Sequence, residues 1–278
     1  MIIFKQSDRI YQFLQALRKM GKSIGFVPTM GALHAGHLSL VSQSIMDNDI
    51  SVCSIFVNPK QFNNSSDLQH YPVTIEQDIE LLEAAGCDVL FLPSYTEIYP
   101  DDYQQKIYDL GYLETILEGK HRPGHFQGVC AVVEQLLKIC SCDTLYLGRK
   151  DYQQCMVIKK LCEINETDIQ IVFCETKREE DGLAMSSRNM RLNEEQRKRA
   201  TTLYKSLKHI AKNYTSNEDK TIKEANDMIV AEGFEIDYIE VTDENLNTPN
   251  QGNLSSKKIA LVAASIGGIR LIDNLSFN

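Results

Sequence analysis

The chain has 278 residues, with 29 Lys and Arg against 38 Asp and Glu and a formal charge of −9. At roughly 100–200 residues per domain, that length bounds the molecule to one large domain or two smaller ones. Its 43% hydrophobic and 24% charged residues exclude disordered and fibrous classes, and an acidic balance without a Lys/Arg block gives nucleic acid no electrostatic footing. An anionic small molecule stays open, because a few local cations and backbone amides can hold one on an acidic protein.

The opening Met1–Asp8 has neither the basic flank nor the apolar centre of a signal peptide. The longest uncharged apolar run, Ile259–Ile269, is far shorter than the roughly 20 residues of a membrane span. Of the eight cysteines, Cys53, Cys130, Cys155, Cys162 and Cys174 lie in apolar runs, where free Cys behaves as a small hydrophobe. Cys140 and Cys142 do not have zinc-ribbon spacing. Reduced thiols in a cytoplasmic protein, with no membrane or nucleic-acid partner, are the expectation.

In chain order, Ile24–Val27 is a short apolar run closed by Pro28, and His37–Met46 carries Leu38, Val41 and Ile45 at helical spacing. Ser51–Val57 is a second strand-like run, stopped by Asn58-Pro59. The alternation continues with helix Ile75–Ala85, strand Asp88–Leu92, helix Gly128–Cys140, strand Thr144–Leu147, helix Tyr152–Cys162 and strand Ile169–Cys174. Apolar strands separated by helices predict βαβ units and a parallel sheet. After Cys174 the mixed-charge stretch Glu175–Gly182 reads as a hinge or a domain boundary. Asn193, followed by Glu194 and Glu195, caps a helix reaching about Asn213. A helix at Thr221–Glu232 and strands at Tyr238–Val241, Lys258–Ala264 and Arg270–Ile272 follow, with a polar loop near Asn245–Ser256. The expected fold is α/β: a Rossmann-like parallel sheet domain over residues 1–175, then a smaller α+β C-terminal domain over 176–278, able to close as a lid.

Four segments carry candidate chemistry. Pro28-Thr-Met-Gly-Ala-Leu-His34-Ala-Gly-His37 follows the first apolar run, at the strand end where open parallel sheets bind ligands. Gly31 and Gly36 allow close backbone approach, and the helix start offers N–H groups to phosphate. The two imidazoles lack the Glu and spacing of a metalloprotease helix; hydrogen bonds to a phosphate gaining charge are the preferred role. His121-Arg-Pro-Gly-His125-Phe-Gln-Gly128 marks a loop before a helix and is either functional or merely structural. In Gly148-Arg-Lys150-Asp151-Tyr-Gln-Gln154, Lys150 can reach a phosphate and Asp151 can cap a helix or meet a ribose. In Asp181-Gly-Leu-Ala-Met185-Ser186-Ser187-Arg188-Asn189, two hydroxyls and a bidentate guanidinium suit a triphosphate. Gln61 and Gln154 are candidate amide contacts.

Taken together with Ser54-Ile-Phe-Val-Asn-Pro59-Lys-Gln61-Phe62, Tyr71-Pro72, Leu261–Ala264 and Arg270–Asn274, these segments resemble the pantothenate synthetase (pantoate–β-alanine ligase) family over nearly the whole chain. The His-x-Gly-His signature is similar to that of the nucleotidylyltransferase superfamily. The resemblance implies ATP-dependent condensation of pantoate with β-alanine through pantoyl adenylate, with Mg²⁺, in a homodimer. It implies that His34, His37, Lys150, Ser186, Ser187 and Arg188 offset phosphate charge. It places ATP against Met30, Gly31, Ala32, Leu33, His34, Ala35, Gly36, His37, Gly148, Arg149, Lys150, Asp151, Lys177, Met185 and Ser186–Arg188. Met30, Asn58, Gln61 and Gln154 take pantoate or β-alanine, and Asp78 falls near the family's Mg²⁺ carboxylates. Position 149 is Arg where the family commonly has Glu, and Gln77 stands where relatives often carry an acid.

Overall fold

The computed structural model describes residues 1–214, 218–247 and 257–278. The chain divides into two compact units, one of Met1–Arg149 and Gln154–Glu175, the other of Lys150–Gln153 and Thr176–Asn278.

The first unit opens with a short strand β1 (Ile2–Phe4) and helix α1 (Ser7–Lys19), followed by β2 (Ile24–Thr29), α2 (Ala35–Asp47) and β3 (Ile50–Ile55). A short α3 (Ser65–Gln69), α4 (Ile75–Ala84), β4 (Val89–Phe91) and the brief helices α5 (Tyr95–Ile98) and α6 (Leu117–His121) come next. Then follow α7 (His125–Cys140), β5 (Thr144–Gly148), α8 (Tyr152–Ile164) and β6 (Gln170–Cys174). The six strands form one sheet in the order β1-β4-β3-β2-β5-β6, parallel throughout. Chain order reverses on either side of β2, so the crevice between the ends of β2 and β5 is the sheet's switch point. Strand β2 is nearly all buried, as a strand covered on both faces must be.

Two features depart from the pattern read along the sequence. Strand β2 runs through Pro28 to Thr29 rather than stopping at Val27. Its ladder to β5 ends at Phe26, so beyond that point Pro28 faces no β5 partner requiring an N–H. The elements β1 and α1 have no counterpart in the expected list. Helix α1 buries only Ile10 and Leu14, and so sparse an apolar face leaves a weak periodic signal.

Helix α7 is the most buried helix of this unit, and it encloses a carboxylate. Glu134, 3% exposed, accepts from Lys106 Nζ at 2.8 Å, Tyr108 OH at 3.0 Å and Lys138 Nζ at 3.2 Å. Burial pushes its pKa up, but the two ammonium groups and the phenol outweigh it and hold the carboxyl below its ordinary 4.5.

The second unit holds α9 (Glu194–Asn213), α10 (Glu218–Ala231) and an antiparallel sheet of β7 (Glu235–Asp243), β8 (Lys258–Ile266) and β9 (Ile269–Phe277) in that order. Asn193 caps α9 through a reciprocal pair with Gln196. Leu203, Leu207 and Ile210 of α9 pack on Val262 and Ala264 of β8 in one core. Residues 248–256, most of the polar loop expected at Asn245–Ser256, lie outside the described residues. No helix among the described residues is long and apolar enough to cross a membrane.

The Glu134 network yields a signed pH prediction. A depressed folded-state pKa gives stability that is full above the unfolded value and is lost as pH falls through the folded one. Glu134→Gln lowers unfolding free energy at neutral pH by about 1.5–3 kcal/mol. Denaturant titrations of both proteins at falling pH should show the difference shrinking below the ordinary carboxylate range.

Candidate active site

At the end of β2 the chain must turn sharply into α2. Gly31 has φ +80° and Ala32 φ +48°, both left-handed; at position 31 a side chain would also lie 2.9 Å from Ile55 and 3.0 Å from Asp78 Oδ2. The turn aims two backbone donors inward, and both find one carboxylate. Ala32 N–H donates to Asp78 Oδ2 at 2.9 Å and Leu33 N–H to Asp78 Oδ1 at 2.7 Å. Thr74 Oγ1 adds a third bond to Oδ1 at 3.1 Å. Asp78 stands in the first turn of α4 and is fully buried.

Past this turn, His34 is the N-cap of α2. Gly36 N–H donates to His34 Nδ1 at 3.1 Å, and His34 N–H donates to His37 Nδ1 at 3.3 Å. The pair forms a reciprocal capping box made of imidazoles, with ring centroids 4.0 Å apart. A backbone N–H can only donate, so both Nδ1 atoms are unprotonated and each neutral ring carries its hydrogen on Nε2. The helix start therefore presents imidazole N–H donors beside its own backbone amides, a setting that favours an anion.

Beside this loop, Gln61 Nε2 lies 3.3 Å from Met30 Sδ. Asn58 caps the short turn Pro59–Gln61 and donates to Gln61 Oε1 at 3.0 Å. Helix α7 approaches so closely that a Cβ on Gly128 would lie 2.3 Å from Lys60 O, and Asn58 Nδ2 also donates to Gly128 O at 3.0 Å. His125 Nδ1 donates to Gln61 O at 2.7 Å, with Arg122 Nη1 3.0 Å from His125 Nε2. The Arg122–Gly128 segment thus braces the Gln61 backbone. Gln154, half-buried in the first turn of α8, makes no side-chain hydrogen bond among the described residues. Arg149 follows Gly148 at the end of β5, and its guanidinium pairs with Glu175 at 2.7 Å, so its positive charge is locally offset.

The remaining candidates belong to the second unit. Lys150 Nζ lies 3.4 Å from Asp151 Oδ2, and its carbonyl accepts from Asn274 Nδ2 at 2.8 Å. Arg178 makes a bidentate pair with Asp273 at 2.7 and 3.0 Å and stacks its guanidinium 3.9 Å from the centroid of Tyr204. Burial pushes the Asp273 carboxyl above the ordinary carboxylate range, against the pull of Arg178. Arg178 opens a narrow turn in which Met185 N–H returns to Lys177 O at 3.0 Å. That turn delivers Ser186, Ser187 and Arg188 onto a short helical turn, Ser187–Arg191, which Ser186 Oγ caps through Arg188 N–H at 3.3 Å. Arg178, Asp273 and Asn274 are not among the sequence candidates, because their roles rest on contacts between distant parts of the chain.

Asp78 does not fit the Mg²⁺ role that the resemblance implies. It is wholly buried, and its oxygens already serve two backbone N–H groups and a hydroxyl. Among the described residues, no group of three or more His, Cys, Asp or Glu is placed to hold a metal ion. Mg²⁺ commonly keeps several waters and binds through substrate phosphates.

Known proteins resemble this chain over nearly its whole length. A family model described as pantoate-beta-alanine ligase matches residues 2–276. Pantothenate synthetase of Bacteroides fragilis is 43% identical over 271 residues, covering 95% of this chain and 94% of that one. The Aquifex aeolicus pantothenate synthetase is 44% identical over 278 residues, covering 98% of both chains. Among solved structures, the Thermus thermophilus pantothenate synthetase superposes with a TM-score of 0.90 at 36% identity, covering 99% of both chains. The Francisella tularensis pantoate-beta-alanine ligase, complexed with beta-gamma ATP and beta-alanine, gives 0.84 at 39% identity over 99% of this chain and 97% of that one. The chain belongs to the pantoate–β-alanine ligase family.

Proposed function

We propose that this chain condenses pantoate with β-alanine through a pantoyl-adenylate intermediate, using ATP and releasing AMP and pyrophosphate. A pantoate carboxylate oxygen attacks the α-phosphorus, and the bond to the β-phosphate oxygen breaks to release pyrophosphate. The β-alanine nitrogen then attacks the acyl carbon, AMP departs with the bridging oxygen, and the nitrogen loses its proton. The observation that carries this reading is the imidazole capping box: His34 and His37 offer Nε2 donors at a helix start, where phosphate charge is best received.

The residues divide by chemistry. His34, His37, Lys150, Ser186, Ser187 and Arg188 offset charge on the transferring phosphate and the departing pyrophosphate. The loops Met30–His37 and Gly148–Asp151, with the main chain at Lys177 and Met185, hold the nucleotide. Gln61, Gln154, Asn58 and Met30 hold the acid. Neutral amides suit that task, since a guanidinium paired with the attacking carboxylate would damp its nucleophilicity. A divalent cation bound with ATP would supply charge neutralisation there. Eight free cysteines, seven of them buried, accord with a reducing, cytoplasmic setting. Assembly as a homodimer is part of the same reading and is checked by light scattering on the eluting protein.

ATP–pyrophosphate exchange without β-alanine tests the function directly. Exchange that depends on pantoate supports the adenylate. Exchange driven only by another acid changes the substrate, and silence with every acid despite ATP binding removes the ligase reading. His37→Ala should slow exchange about 10²–10³-fold while ATP affinity moves far less; equal losses in both count against a charge-offsetting role. Asp78→Asn should lower stability by about 1–3 kcal/mol by disturbing the Ala32–Leu33 turn, with the Mg²⁺ concentration for half-maximal exchange unchanged. A raised Mg²⁺ requirement would return Asp78 to the metal.

A further inference from the structure

Behind Gln61 lies a buried polar chain that runs through Asn58 to Tyr99, a residue to which the proposed reaction gives no part. Tyr99, 4% exposed, directly follows α5 and donates its hydroxyl to Asn58 Oδ1 at 3.0 Å. The same Oδ1 accepts from Lys60 N–H at 3.3 Å, while Asn58 Nδ2 donates to Gly128 O and Gln61 Oε1, both at 3.0 Å. Lys60 N–H can only donate and Gly128 O can only accept, so the two ends of the Asn58 amide are fixed by the backbone on either side. Asn58 Oδ1 can only accept, so Tyr99 is the donor in its bond, and Asn58 Nδ2 can only donate, so Gln61 must turn its oxygen toward Asn58. Gln61 Nε2 therefore faces the other way, against Met30 Sδ, a weak acceptor.

We infer that Tyr99 is a positioning residue: it anchors the Asn58 amide, whose sense the backbone fixes, so that Asn58 holds the Gln61 oxygen and Gln61 meets the acid substrate only as a hydrogen-bond donor. The inference rests on the substrate role proposed above for Gln61. Its chemical content is specific. The substrate atom facing Gln61 is an oxygen acceptor, a hydroxyl or a carboxylate. An acid of the same shape carrying an ammonium there meets donor with donor and is rejected. The Tyr99 hydroxyl keeps its proton for this task, because burial, together with Tyr103 and Tyr95, pushes its pKa well above the ordinary phenol value.

Two near-isosteric variants separate polarity from packing. Tyr99→Phe keeps the ring and its neighbours but removes the hydroxyl. Asn58→Asp keeps the shape but can no longer donate to Gln61 Oε1. In pyrophosphate exchange, Tyr99→Phe should raise the pantoate KM about 3–10-fold, with the ATP KM within about twofold of wild type. Asn58→Asp should raise it further and weaken discrimination against the amino analogue of the acid. A second readout needs no substrate: exchange of the Asn58 side-chain amide protons, followed by NMR on ¹⁵N-Asn-labelled protein, should quicken in Tyr99→Phe. Unchanged amide exchange, or pantoate and ATP KM values rising together, would overturn the inference. If wild-type exchange proves to be driven by a different acid, the same comparison with that acid decides the role of Tyr99, while the pantoate reading fails separately.

Discussion

Asp78 receives the N–H groups of Ala32 and Leu33 where no water and no strand can. The left-handed turn at Gly31 and Ala32 takes these donors out of any ladder, and each would cost about 1–3 kcal/mol if left unpaired. Meeting both with one carboxylate allows the chain to leave β2 abruptly and start α2 only a few residues later. The capping imidazoles and the start of α2 take their direction from that bend. The first turn of α4 thus serves a loop far away in sequence rather than only its own helix.

The second unit solves a similar problem with a different device. Arg178 is held by Asp273 on β9 and by the face of Tyr204 on α9, so the narrow turn it opens is fixed at its base. The neighbouring Asn274 reaches the carbonyl of Lys150. The middle of β9 therefore secures both the loop leading to Ser186–Arg188 and the lysine proposed to meet phosphate. A half-buried guanidinium suits this position, since its five donors can satisfy a carboxylate and main-chain oxygens together.

Much of this was legible in the sequence. Alternating apolar runs gave the parallel sheet, and the change of texture after Cys174 preceded the α+β portion. The His34–His37, Asn58–Gln61 and Met185–Arg188 segments stood out through local composition. What escaped was whatever depends on partners distant in the chain. Asp78 looks like an ordinary first-turn acid until its oxygens are seen on Ala32 and Leu33. Tyr99 looks like core until its hydroxyl meets Asn58. Arg149 reads as a reversal of charge relative to the family until Glu175 is found beside it. Strand β1 and helix α1 were missed for a different reason, since three strand residues and two buried helical positions leave little periodicity to read.

The capping box at the start of α2 ties the proposed chemistry and the fold to the same imidazole ring. An imidazole whose Nδ1 accepts a backbone N–H cannot gain a second proton there without turning an attraction into a clash of hydrogens. His37 can therefore lend the hydrogen on Nε2 to a bound oxygen, but it cannot stand charged in this geometry while still holding the main chain of His34. A ring that must stay neutral to keep its helix wound is restricted to sharing a hydrogen rather than delivering one from an imidazolium.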